Sequence, residues 1–178
     1  MTIQGEGRAH AFPAHADADT RVLILGSLPG VASLAAHQYY AHPQNQFWRL
    51  VGGVIGVDLA ALAYPDRLAA LAAARIGLWD TIASAHRRGS LDGAIRAAET
   101  RDIAAFAATL PALRLIAFNG ATAARLGRAA LVDTGRLGRA ALAGTPLALL
   151  DLPSSSAANA RLPFAAKQAQ WQALAVAL

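Results

Sequence analysis

The chain has no cysteine among its 178 residues. That excludes disulfides, thiolate metal sites, iron–sulfur clusters and cysteine nucleophiles together. Lysine is almost as scarce: of sixteen Lys and Arg residues, only Lys167 is a lysine. A Schiff-base step therefore has one candidate, and it lies outside every loop considered below. Hydrophobic residues make up 55% of the chain, yet no run of eighteen apolar residues goes unbroken, so no membrane-spanning helix is expected. The first twenty residues carry no apolar core of a secretory leader. With the missing thiols, this favours a cytoplasmic protein. Neither GxxxxGK[ST] nor GxGxxG follows the first strand-like run, so a phosphate-cradling nucleotide loop has no support. No metal or cofactor is called for.

What is present is basic. The formal net charge is +5 and the sequence pI is near 10.7. Such a surface suits a polyanionic partner, because neutralised phosphates release counterions. An Ala- and Arg-rich composition can also reflect a GC-rich genome, so charge alone does not decide between the two.

The length fits one domain. Residues 1–20 read as an N-terminal arm and residues 21–178 as the domain. Four short apolar runs read as buried strands: 21–28 (RVLILGSL), 76–79 (IGLW), 113–118 (LRLIAF) and 147–152 (LALLDL). Helical spacing falls at about 46–54, 65–74, 101–110 and 121–130, and a closing helix at 163–176. The Gly-rich stretch 132–145 reads as a loop. Strands alternating with helices predict a three-layer α/β/α sandwich around a mostly parallel sheet of about four strands. Ligands of such sheets bind beyond the carboxyl ends of the strands. That rule directs attention to four loops: 26–45, 79–88, 119–122 and 153–159.

The first loop, GSLPGVASLAAHQYYAHPQNQFW, has a composition that a plain connector does not need. Gly26 and Gly30 let backbone approach a ligand closely, and Pro29 and Pro43 stiffen the path. Tyr39 and Tyr40 offer flat faces for a planar base. The Asn45 amide can hold a water or read a base edge, or it can cap the helix that follows. In the fourth loop, LPSSSAANA, the hydroxyls of Ser154, Ser155 and Ser156 suit phosphate contacts, although a Ser-rich helix cap has the same composition.

These segments resemble the uracil-DNA glycosylase superfamily, and most of all its hypoxanthine-DNA (deoxyinosine) glycosylase branch. GSLPG is similar to the first active-site motif and YYAHPQNQFW to the segment after it. LWDTIASAHRRGSLDGAIR resembles the second strand and its exit, FNGATA the third strand's exit, and LPSSSAANA the second active-site motif. The matches run from about residue 22 to residue 161. The resemblance implies a monofunctional glycosylase that flips a deaminated base out of DNA and hydrolyses its N-glycosidic bond. It implies damaged single- or double-stranded DNA as partner, and a monomer.

By the same resemblance, Asn45 is the catalytic side chain. Tyr40 stacks on the base, Asp80 reads its edge with Asn119, Gly26 and Ser27 nearby, and Gly30, Ser154, Ser155 and Ser156 hold phosphate. Arg87, Arg88 and Arg161 flank the cleft as DNA contacts. Asp80 has a plainer alternative as a helix cap or an ion pair with Arg87 or Arg88, and Asn119 as a strand end. His42 is within reach of the site by sequence.

The chain departs from the uracil-specific pattern in two places. Ser27 and Leu28 stand where those enzymes carry Asp or Asn, and Leu152 where they carry His or Asn. Hypoxanthine is therefore expected over uracil. A non-catalytic nucleic-acid-binding module on the same fold is the alternative that these replacements leave open.

Overall fold

The computed structural model describes residues 8–132 and 147–178. Among them are seven strands: β1 (Arg8–His10), β2 (Val22–Gly26), β3 (Ile76–Asp80), β4 (Ile82–His86), β5 (Arg96–Thr100), β6 (Leu115–Asn119) and β7 (Ala148–Leu152). Six α-helices accompany them: α1 (Val31–Ala36), α2 (Phe47–Ile55), α3 (Tyr64–Ala73), α4 (Ile103–Ala107), α5 (Ala121–Val132) and α6 (Phe164–Trp171). The four expected strands form one parallel sheet in the order β3-β2-β6-β7.

The apolar runs form this sheet because both faces are covered. Every residue of β2 is buried. Val22 and Ile24 pack on one side with Phe47, Leu50 and Val51 of α2, Leu71 of α3 and Trp171 of α6. Leu23 and Leu25 point the other way, with Ile103 and Ala107 of α4 and Ala123 and Ala124 of α5. The period-two alternation of a strand thus feeds two cores, which makes the expected three layers. No helix among the described residues is long and apolar enough to cross a membrane.

A second sheet was not expected. β1, β4 and β5 pair antiparallel in the order β1-β4-β5. It grows directly out of the first: after β3, Thr81 N–H donates to Gly26 O at 2.8 Å and Ile82 N–H to Ser27 O at 3.0 Å. Residues 82–86 are therefore strand and not part of a loop over 79–88. Residues 8–20 are bound into the fold as well. Arg8–His10 pairs with β4, and His15 exchanges backbone hydrogen bonds with Leu78 at 2.8 and 2.9 Å. The expected helix over 101–110 is shorter, Ile103–Ala107, begun by Asp102, whose carboxylate accepts from Ala105 N–H. The expected closing helix turns 3₁₀ after Trp171. Of the expected loop over 132–145, residues 133–145 lie outside the described residues.

One contact holds α5 tightly to the sheet. A Cβ built on Gly127 would clash with Phe118 Cε1 of β6. Gly127→Ala should therefore destabilise the protein by about 1–3 kcal/mol through overpacking, against a helix-propensity gain of about 1 kcal/mol at most. Urea unfolding measures the balance, and an unchanged or higher midpoint would mean that the Phe118 ring is not held in place.

Candidate active site

The carboxyl ends of β2, β3, β6 and β7 open into a cavity of about 850 Å³. Residues from all four expected loops line it, among them Gly26, Tyr40, Asn45, Asp80, Asn119 and Ser155. The parallel register explains the gathering: Gly26 is paired with Asp80, and Asn119 with Leu152, so the strands end level with one another.

Asp80, the last residue of β3, is only 3% exposed. No helix follows it, so it caps none. Its Oδ2 is buried and has no hydrogen-bond partner. Burial pushes the carboxyl up to about 7, against the opposing pull of Arg101 and Arg87 and with some help from Asp92. The two arginines are turned elsewhere. Arg101 donates to Phe12 O and covers the Trp79 ring at 4.5 Å. Arg87 donates to the carbonyls of Leu28 (3.1 Å), Pro29 and Gly89 (3.0 Å).

Tyr40 adopts a left-handed backbone, φ 53°, which a tyrosine holds only when its surroundings dictate it. Its ring stacks on Phe47 with centroids 3.7 Å apart and planes 10° from parallel. Its hydroxyl is buried and, like Asp80 Oδ2, has no partner of good geometry. Burial and the Asp80 charge hold its pKa above the usual tyrosine range, with the nearby Asn119 amide opposing. Between these two groups lies Gly26. A Cβ there would meet Asp80 Oδ1 at 2.8 Å and the Tyr40 hydroxyl at 3.2 Å. Tyr39, the other tyrosine of the pair, is structural: it is 5% exposed and donates to Pro13 O at 3.0 Å.

Asn45 lines the cavity. Its Oδ1 accepts from Phe47 N–H at 3.0 Å, which turns the chain into α2. The rest of the amide makes no hydrogen bond within the described residues. The next residue, Gln46, ties two loops together: its N–H donates to Ser155 O at 2.9 Å, and its Oε1 accepts from Lys167 Nζ at 3.1 Å. Lys167 is 1% exposed, and burial lowers its pKa.

Asn119 uses both ends of its amide on Ser155. Its Nδ2 donates to the hydroxyl at 2.9 Å, and its Oδ1 accepts the Ser155 N–H at 2.8 Å. It pins the serine loop. Ser154 and Ser156 each accept a backbone N–H two residues on, at 3.2 Å, and both line the cavity with Arg161 and His42. Arg87 and Arg88 are not among the lining residues. Leu152 is buried in the core. No group of three His, Asp or Glu side chains among the described residues is placed to hold a metal ion.

The cavity wall extends beyond the expected 79–88 loop. Ser90, Leu91, Asp92 and Gly93 also line the cavity. Asp92 accepts from Ser27 Oγ at 2.7 Å, and Ser90 Oγ accepts the Val31 N–H at 3.0 Å, so this loop buttresses the first. The signal was available in RRGSLDG, whose Gly, Ser and Asp-Gly are turn residues.

Three comparisons place this geometry among known proteins. The family model described as the uracil DNA glycosylase superfamily matches residues 13–175. A hypoxanthine DNA glycosylase of Methanosarcina acetivorans is 40% identical over 163 residues, which is 92% of this chain and 95% of the relative. One from Methanosarcina barkeri is 44% identical over 113 residues, 64% of this chain and 72% of the relative. A solution NMR structure of a candidate uracil DNA glycosylase from M. acetivorans superposes with a TM-score of 0.78 at 39% identity, covering 94% of this chain and 96% of that one. With the family model spanning nearly the whole chain, and with a relative 40% identical over 92% of it, this protein belongs to the uracil DNA glycosylase superfamily.

Proposed function

We propose that the protein is a DNA-repair glycosylase that extrudes a deaminated base, hypoxanthine in preference to uracil, and hydrolyses its N-glycosidic bond to leave an abasic site. One observation carries the reading. Two buried polar atoms, Asp80 Oδ2 and the Tyr40 hydroxyl, lack partners of good geometry among the described residues, and their side chains flank Gly26 in the cavity. A buried polar group left unpaired costs about 1–3 kcal/mol, so a polar ligand that enters here relieves two such groups together. A planar base edge with donors and acceptors does this, and the relatives named for hypoxanthine support the choice of base.

In this reading the flipped base lies on the Tyr40 ring face opposite Phe47. Stacking then offsets part of the cost of unstacking the duplex. Asn45 orients the attacking water. A neutral amide is sufficient, because C1′–N cleavage that runs ahead of attack builds an oxocarbenium-like sugar in need of position more than of a strong base. Gly30, Ser154, Ser156, Arg88 and Arg161 contact the DNA backbone, while Asn119, Ser155 and Arg87 hold the loops that do so. The absence of cysteine fits the cytoplasm.

The direct test is a labelled oligonucleotide carrying hypoxanthine, uracil or xanthine, incubated with the protein and then with alkali. Scission at hypoxanthine above that at uracil is expected. Binding without scission at any base would make the protein a binding module instead.

Two substitutions sharpen this. Asn45→Ala removes both the turn bond to Phe47 and the proposed water contact. It should cost about 1 kcal/mol of stability and slow single-turnover excision about a hundredfold or more. Lower stability with a normal rate would leave Asn45 as a turn residue only. Gly26→Ala should lower the melting temperature, because the new methyl group would meet the buried Asp80 Oδ1 at 2.8 Å, and in the protein that remains folded it would occupy the space where the base edge belongs. Excision should fall at least tenfold, and an unaltered rate would move the base-binding floor elsewhere.

A further inference from the structure

The catalytic side chains of the proposed site include no proton donor for the leaving base. Asn45 is an amide, and Ser27, Leu28 and Leu152 carry no titratable group. A departing base takes the electron pair of the C1′–N bond, and a donor at the base lowers the barrier to that step. Two carboxyl groups line the cavity; Asp92 already accepts from Ser27 Oγ, and Asp80 is placed as an acid must be. Asp80 is buried and joins no ion pair among the described residues, its Oδ2 has no hydrogen-bond partner among them, and its Oδ1 borders the space above Gly26. A carboxyl taken out of water with no cation bonded to it favours its neutral, proton-bearing form.

We propose that Asp80 is the general acid of the reaction and that it gives its proton to N7 of the leaving purine. The inference rests on the glycosylase reading above. The balance is simple. The C1′–N9 bond breaks with its electron pair passing into the imidazole ring. The Asp80 proton moves to N7 of that ring, and hypoxanthine leaves neutral. Water oriented by Asn45 forms the new C1′–O bond, and its surplus proton restores Asp80 through solvent. Uracil has no N7 and no imidazole ring, so this route favours purines by chemistry as well as by shape.

The electrostatic surroundings agree. The charged and titratable groups that act on Asp80 are Arg101 and Arg87 at the ends of β5 and β4, which do not bond to it, Asp92 in the following turn, and Tyr39 and Tyr40 in the first loop. The arginines favour ionisation, but burial outweighs them and holds the carboxyl up to about 7. An acid must be protonated to act, so excision of hypoxanthine should fall as pH rises through about 7.

The test compares wild type with Asp80→Asn on hypoxanthine, 7-deazahypoxanthine and uracil, in single turnover across pH 5.5–9. Asparagine keeps the shape and can still bond a base edge, but has no proton to give. On hypoxanthine the variant should be slower by about a hundredfold or more, and the alkaline fall near pH 7 should disappear. On uracil and on 7-deazahypoxanthine, the two proteins should differ by only a few fold. The variant should melt no lower than wild type at pH 8, because the folded state resists ionising this carboxyl. An equal loss on all three bases would make Asp80 a reader of the base edge and not an acid. So would an alkaline fall near pH 7 in wild type that is the same on uracil as on hypoxanthine, a measurement that needs no variant. A wild type that excises no base at all would instead overturn the glycosylase reading itself.

Discussion

The first and last of the loops that line the cavity meet at Ser155. Its carbonyl accepts the Gln46 N–H at the entry to α2, and its own N–H and hydroxyl are both held by Asn119 at the end of β6. Three hydrogen bonds on one residue fix the distance between the first loop and the last, and with it the width of the cavity. Ser155 is accordingly buried although it belongs to a loop. Nearby, Trp171 Nε1 donates to Pro153 O, so α6 supports the same loop from beneath. A cavity tied in this way is set before any ligand arrives, which is what electrostatic catalysis requires of its groups.

The polar groups are divided by location. At the walls they are paired with one another: Ser27 with Asp92, Ser90 with Val31, and Arg87 with the carbonyls of Leu28 and Pro29. At the floor, Asp80 Oδ2 and the Tyr40 hydroxyl are left over. Unpaired buried atoms lower stability, and the fold tolerates them where they serve a ligand. Tyr40 adds a left-handed backbone at the same place, so a strained residue and two unmet polar atoms share one side of the cavity.

Much of this architecture was legible in the chain. The runs at 21–28, 76–79, 113–118 and 147–152 end within about two residues of β2, β3, β6 and β7, because strands covered on both faces must be apolar throughout. The antiparallel sheet was not legible. β5, RAAET, is exposed along its whole length, and its pairing with β4 is irregular, so neither hydrophobic alternation nor a clean turn marks it. The site divides in the same way. Composition and resemblance brought Tyr40, Asn45, Asp80 and the serines to one place. That Arg87 would face carbonyls, that Asn119 would pin Ser155, or that Tyr40 would lie on Phe47 depends on neighbours distant in sequence. No local pattern encodes such contacts.

The seclusion of Lys167 has a consequence for the surface. The only lysine of the chain lies under Gln46, almost wholly out of reach of solvent. Every exposed basic side chain other than histidine is therefore a guanidinium, which keeps its proton at any pH that a folded protein survives. The positive field offered to a polyanion is thus insensitive to alkali, and the enzyme should remain attached to its track under conditions in which a lysine-rich surface would begin to let go. The same arrangement leaves no side-chain amine in easy reach of acylating or aldehyde reagents, so such chemistry should pass over the folded domain and mark Lys167 only once α6 has come away from the serine loop it supports.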